Sequence, residues 1–312
     1  VVFARRRGIP LLAALDVARW EGRSVAVAGG RHAMGGQQFA QNDILLDMTG
    51  MDRVLQFDRE RGLIEVEAGI QWPALIEYLA RVQKENETPW GIIQKQTGAD
   101  KLTIGGAIAA NVHGRGLNLK PFIADVESFL LIDAQGREIR CSRDRNAELF
   151  RLAIGGYGLF GIVASVKLRL RRRAMLRRHV ELIDVEALVP GFERRIAQGC
   201  EFGDFQFCTD ESSDDFLRKG VFSCYQPMDP ATPPTPDRRE LAREDWLHLL
   251  ELAHTSPEQL HQIDQFEYLV AELEAASQRI TNDVLEYWSQ DRSLEVEFRC
   301  DGARPHDRPP FN

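Results

Sequence analysis

The chain has 312 residues, 44% hydrophobic and 28% charged, with a formal net charge of −8. That length supports one large domain or two medium ones with substantial cores, and the composition excludes a disordered or fibrous chain. The acidic balance argues against a general nucleic-acid binder, whose phosphate contacts need a basic surface, and no stretch approaches the roughly 20 apolar residues of a membrane span.

From the N-terminus, Ala13 to Trp20 reads as a helix and Ser24 to Ala28 as a short buried strand. Ile44 to Asp47, Val54 to Phe57 and Leu63 to Glu67 read as strands, the last two joined by a turn at Asp58 to Gly62. Trp72-Pro73 opens a helix reaching about Val82, with proline near the first helical position, where its missing N–H costs little. Val126 to Ile132 and Arg137 to Ser142 flank the turn Asp133-Ala134-Gln135-Gly136 as a hairpin. Asn146 to Ala153 has helical spacing, and Val166, Leu168 and Leu170 alternate with Lys167, Arg169 and Arg171 as a half-buried strand.

After Arg173 glycine becomes scarce. Phe205 to Thr209 and Val221 to Gln226 are strand candidates, Pro227 to Pro236 is a loop or lid, and charged helices are expected at about Arg238 to Ala253 and Pro257 to Trp288. The layout is α+β, with small sheets and packed helices rather than a regular βαβ ladder. The basic cluster Arg169 to Arg173, with Arg177 and Arg178, reads as a solvated sheet face. The five cysteines contain no C-x-x-C pair, which suits reduced structural thiols, gives no metal signature and points to a cytoplasmic protein. Because the chain starts at Val1 rather than Met, there is room for an upstream leader.

Three glycine clusters stand out in the first half. Gly29-Gly30-Arg31-His32-Ala33-Met34-Gly35-Gly36-Gln37 directly follows a strand, where successive N–H groups can form a concave nest for phosphate oxygens. Thr103-Ile104-Gly105-Gly106-Ala107-Ile108-Ala109-Ala110-Asn111-Val112-His113-Gly114 is built of small residues that would let a flat ring system lie against the backbone. Gly156, Gly158 and Gly161 satisfy G-x-G-x-x-G, but a helix precedes them and a strand follows. That is the reverse of the order a nicotinamide-binding fold requires.

Taken together, in this order, the clusters resemble the FAD-binding domain of the vanillyl-alcohol oxidase / p-cresol methylhydroxylase family over roughly residues 11 to 172. Within it, the third motif is most similar to alditol oxidase-like and sterol Δ24-reductase-like members. The resemblance implies a two-subdomain FAD-binding domain over 1–173 and a smaller α+β substrate or cap domain over 174–312. It implies that the first cluster holds the FAD diphosphate (Gly29, Gly30, Arg31, His32, Ala33, Met34, Gly35, Gln37). The second would lie along the flavin (Thr103, Gly105, Gly106, Ala109, Asn111, His113, Gly114). The third would reach the adenine side (Gly156, Gly158, Gly161, Ile162, Val163). Alditol oxidases carry G-x-R-H-S where this chain has Gly30-Arg31-His32-Ala33, which makes His32 a candidate for a covalent flavin bond. The alternative is a histidine that only hydrogen-bonds the loop.

Glu295-Val296-Glu297-Phe298-Arg299 reads as a strand whose alternation puts Glu295, Glu297 and Arg299 on one face. The resemblance makes Glu297 and Arg299 candidates for substrate binding and polarisation, against the alternative of an exposed charged edge. His113 is a further candidate for proton transfer, against the preferred reading of a residue that packs near the flavin or orients backbone. Tyr225, Gln206 and Tyr287-Trp288 are further candidates for a pocket wall, against the preferred reading of core aromatics and polar strand residues. Family members are usually longer, so a C-terminal segment is expected to be missing. The implied activity is hydride abstraction from a hydroxyl-bearing carbon of a small alcohol, polyol or sugar-like substrate, with oxygen or another molecule as acceptor. A nicotinamide-driven C=C reductase and a non-catalytic flavin-binding protein stand as alternatives.

Overall fold

The computed structural model describes residues 2–5, 11–33, 35–96, 99–208 and 213–229. Its first sheet is parallel, with β1 (Val2–Arg5) and β2 (Val25–Ala28) both pairing with the central β3 (Ile44–Gly50). Helix α1 (Leu11–Glu21) packs Leu11, Ala14 and Leu15 against Leu46 and Met48.

The second sheet is antiparallel. β4 (Val54–Asp58) and β5 (Leu63–Glu67) form a hairpin whose turn is held by Asp58 Oδ1, which accepts from the amides of Glu60 and Arg61 at 3.1 and 2.9 Å. β7 (Val126–Ile132) and β8 (Glu138–Ser142) form another, where Asp133 Oδ1 accepts from the amides of Gln135 and Arg137, both at 2.9 Å. β9 (Ile162–Arg172) runs between β5 and β7, and β6 (Trp90–Ile92) pairs with its far end.

Alternation divides the two faces of β9. Val166, Leu168 and Leu170 are buried in the main core, with Lys167 and Arg169 on the opposite face. Helix α2 (Trp72–Val82) covers this core with Trp72, Leu75 and Leu79, while the short α3 (Ile104–Ala109) adds Ile104, Ala107 and Ile108. Trp72 is fully buried and meets Phe122 edge-on, centroids 5.4 Å apart. Truncation of such a side chain costs about 3–5 kcal/mol. Helix α4 (Ala147–Ala153) contributes Phe150, stacked on Phe129 at 5.4 Å.

A third, antiparallel sheet follows: β10 (Leu176–Asp184), β12 (Lys219–Pro227) and β11 (Phe202–Phe207), in the order β10-β12-β11. Helix α5 (Leu188–Ala197) packs Phe192 edge-on against Phe222 at 4.8 Å. The loop after α3 is fastened to this sheet. The amides of Leu117 and Gly203 donate to the carbonyls of Glu201 and Arg115 at 2.8 and 2.9 Å, and Arg115 pairs with Asp204 at 3.2 Å.

Several elements depart from the sequence reading. β1, β6, β10 and α5 were not anticipated, and the second glycine cluster is helical over Ile104–Ala109 rather than a loop. Its helix starts because the Thr103 Oγ1 accepts from the Gly106 amide at 3.2 Å, and because a glycine at 105 lets its amide reach the Ala68 carbonyl at 2.7 Å. Of the basic cluster, Arg169 to Arg172 lie on β9 and Arg177 and Arg178 on β10, with Arg173 just past β9; Arg178 is half-buried rather than solvated, donating to Ser223 Oγ at 3.0 Å. The expected helices at Arg238 to Ala253 and Pro257 to Trp288 lie outside the described residues. The four described cysteines carry free thiols; burial above all, with Cys200 beside it, pushes the Cys224 thiol up to about 12.

Candidate functional site: a glycine-lined cleft

The three glycine clusters meet. A cavity of about 280 Å³ is lined by Gly29 and Gln37 of the first, Thr103, Gly105, Gly106 and Ala109 of the second, and Gly158, Gly161, Ile162 and Val163 of the third. Close backbone approach holds them together. A β-carbon at Gly29 would overlap the Thr103 hydroxyl, so the first loop packs on the cap of α3 only because position 29 lacks one. The third turn hangs from the same helix, since the amides of Gly155 and Tyr157 donate to the carbonyls of Ile108 and Ala109 at 2.9 and 3.0 Å. Gly158 needs its glycine for a different reason. Its φ is +81°, a left-handed conformation that side chains rarely adopt, and a β-carbon there would face open space.

Among the described residues no charged side chain lines this cleft, whose walls are aliphatic and aromatic side chains and bare backbone, with Gln37 and Thr103 as polar members. Such a surface suits a flat, neutral ring system, and the adjoining loop suits an anionic group. There, Arg31 adopts a left-handed φ of +59° and pairs with Asp47 at 3.0 Å. Burial works against the Asp47 charge, but the Thr49 hydroxyl and amide, together with Arg31, hold its carboxyl below the usual range. His32 sits on the same loop beside Lys101. Burial lowers its pKa most; a hydrogen bond to the Lys101 backbone opposes this and the Lys101 charge reinforces it. Burial thus favours the neutral imidazole.

Other expected site residues lie off the lining. Gly30, Arg31, His32, Ala33 and Gly35 continue the first loop away from the cavity wall, and Gly156 is packed under Phe160, with no room for a β-carbon. Asn111 Oδ1 accepts from the Ile123 amide at 3.0 Å, and the Gly114 amide donates to Gln94 Oε1 at 3.3 Å, so both hold the chain leaving α3. His113 is exposed, its Nδ1 3.1 Å from the Gly114 carbonyl, and does not line the cleft. Met34, Glu297, Arg299 and the pair Tyr287-Trp288 lie outside the described residues. Tyr225 is buried in the third sheet, and Gln206 is exposed on its edge strand.

The lining also contains residues that the sequence reading missed. Val25, Ala26 and Val27 of β2, expected in a buried strand, are only half-buried because this edge strand opens on the cleft. Tyr157, Leu159 and Phe160 form an apolar lip, 65%, 85% and 38% exposed. Three apolar side chains inside a glycine-rich turn, with no helical or strand period to bury them, were the available signal. Among the described residues there is no cluster of metal-ligating side chains and no helix long and apolar enough to cross a membrane.

Residues 10–142 match the model of a family described as an FAD binding domain. The chain is 31% identical over 157 residues to L-gulonolactone oxidase of Mus musculus, covering 50% of this chain and 33% of that protein. It is 31% identical over 144 residues to mitochondrial L-galactono-1,4-lactone dehydrogenase of Brassica oleracea, covering 46% and 23%. Cytokinin dehydrogenase 3 of Arabidopsis thaliana is 28% identical over 216 residues, covering 66% and 39%. The matched region thus spans less than half the length of each of these relatives.

Proposed function

We propose that the chain, whose residues 10–142 match the model of an FAD binding domain, is an FAD-dependent oxidoreductase of the vanillyl-alcohol oxidase / p-cresol methylhydroxylase family acting on a hydroxyl-bearing carbon of a small lactone- or sugar-like molecule. The observation that carries this reading is the convergence of three sequence-distant glycine clusters on one cleft. When bound, FAD supplies a ring that accepts a hydride.

In this reading the first loop, from Gly29 to Gln37, gives its N–H groups to the diphosphate, with Arg31 anchored on Asp47 to fix the loop's shape. The wall from Thr103 to Ala109 lies along the flavin, and the turn from Gly158 to Val163 flanks the adenine. Burial favours the neutral form of His32, the form that a bond from its ring nitrogen to the flavin requires. We assign the parallel sheet β1-β3-β2 and the six-stranded sheet to the two lobes of the FAD-binding domain and the sheet β10-β12-β11 to the start of a substrate domain at about residue 174, a division that the separate strand orders support. Glu297 and Arg299 remain our candidates for orienting the substrate hydroxyl.

The experiment is anaerobic. The purified protein should show a flavin absorption spectrum that bleaches on adding L-gulono-1,4-lactone, L-galactono-1,4-lactone or a member of an alditol panel. A flavin that bleaches with a reduced nicotinamide and with none of these compounds would make the chain a reductase instead.

A further inference from the structure

The solvent face of the six-stranded sheet holds a second cleft, of about 320 Å³, that shares no residue with the first. On a chain whose net charge is −8, it gathers six cations, Arg61, Arg140, Arg143, Arg145, Lys167 and Arg169, against the carboxylates of Glu127 and Asp144. They come from three separate stretches of chain: the β4–β5 turn, β8 with the loop after it, and β9. A solvated face would disperse such charges; here the sheet concentrates them around one concavity.

Internal pairing leaves much of this charge unanswered. Arg169 pairs with Glu127 at 2.5 Å. Glu65, just outside the cleft, is shared by Lys167 at 3.3 Å and Arg140 at 3.9 Å. Arg143 is held by neutral partners, donating to the carbonyls of Val126 and Ile123 at 2.7 Å each, with its guanidinium 5.3 Å over the Phe150 ring. Arg61 and Arg145 have no carboxylate partner among the described residues. Their backbones are nonetheless fixed, by hydrogen bonds to Asp58 Oδ1 at 2.9 Å and Ser142 Oγ at 3.0 Å. Burial, and next the Arg169 charge, lower the pKa of Arg143, which reports the crowding of like charges.

We propose that this cleft is a ligand site distinct from the flavin cleft, and that it takes a small, multiply charged molecule bearing phosphate groups. Several guanidinium forks around one concavity match phosphate oxygens in geometry and number, and the charge excess exceeds what a single carboxylate would neutralise.

The test is calorimetric titration of the FAD-loaded protein, in which the diphosphate loop is already filled, with inorganic pyrophosphate at low salt. Saturable binding of one equivalent is expected. It should weaken by about tenfold or more in the double variant Arg61→Gln/Arg145→Gln, which removes the two unanswered charges without breaking an ion pair. The charge-matched variant Arg151→Gln/Arg177→Gln, at exposed positions outside the cleft, should bind as the parent does. Absence of saturable binding, or equal weakening in both variants, overturns the site. Tighter binding of citrate than of pyrophosphate overturns the phosphate assignment.

Discussion

Gly30 lies against the carbonyl of Lys101: a β-carbon at position 30 would overlap the oxygen, and would sit 3.1 Å both from the carbonyl carbon and from the Cδ2 of His32. The first glycine loop, the approach to α3 and the candidate flavin-linking histidine are therefore registered through a single missing methyl group. Gly30→Ala should separate the first loop from the second and cut FAD affinity by at least about tenfold, a loss of the size expected when backbone must move. Gly191→Ala is the control, because it lies in α5 off the cleft and a β-carbon there comes no closer than 3.3 Å to a neighbour. The flavin-to-protein absorbance ratio after gel filtration should fall in the first variant and hold in the second.

His32 makes a separate prediction. If its imidazole is bonded to the flavin, acid precipitation leaves yellow colour in the protein pellet, and His32→Ala releases all of it to the supernatant. The bond needs the neutral ring, which burial favours by lowering the pKa. Flavin attachment to the apoprotein should therefore slow as pH falls below the lowered pKa, where the ring becomes charged. Colour that leaves the parent protein in acid would reduce His32 to a non-covalent contact with the cofactor.

How much of this was legible in the sequence depended on local chemistry. β5 and α2 could be read at or within a residue of their ends, because Asp58, Gly62 and Pro73 punctuate strong periods of two and 3.6. α3 could not. Gly105 and Gly106 are poor helix formers, and that helix exists through the Thr103 cap and the bonds from the Ile104 and Gly105 amides to the Ile70 and Ala68 carbonyls, which are contacts across sequence. The glycine clusters announced the cleft, but Val25, Ala26 and Val27 looked like any core strand. Only the sheet order β1-β3-β2, which leaves β2 at an edge, exposes them to it.

Asp125 gives the fold a pH dependence. Its carboxyl is buried, with Oδ2 lacking a hydrogen-bond partner among the described residues. Burial raises its pKa to about 6, against smaller opposing contributions from Gln94 and Arg169. A carboxyl raised on folding is more protonated in the native state, so it favours the fold at acid pH. That contribution disappears as pH rises from the unfolded value of about 4 through about 6. Asp125→Asn, which cannot ionise, should gain on the order of 2 kcal/mol over the parent at pH above this window and little below it. Urea unfolding of the two proteins across pH checks this; parallel curves would refute it.

The Arg115–Asp204 pair should act as the clamp between the loop leaving α3 and the third sheet. Its partners lie 3.2 Å apart and are only 18% and 16% exposed. The two neighbouring backbone bonds, Leu117 to Glu201 and Gly203 to Arg115, run between the same segments. Burial pushes the Asp204 pKa up, with Arg115 as the first opposing influence, so the pair is desolvated and its ionisation is held by its partner. Removing one member of such a pair strands the other charge, at a cost of about 3–5 kcal/mol, whereas replacing both with apolar groups of similar size can be nearly neutral. Asp204→Ala should therefore destabilise strongly, and Arg115→Met combined with Asp204→Leu should recover most of the loss. A double-mutant cycle read by urea unfolding measures the coupling. If the single and double variants were equally destabilised, the loop would be held to the sheet by its backbone bonds alone.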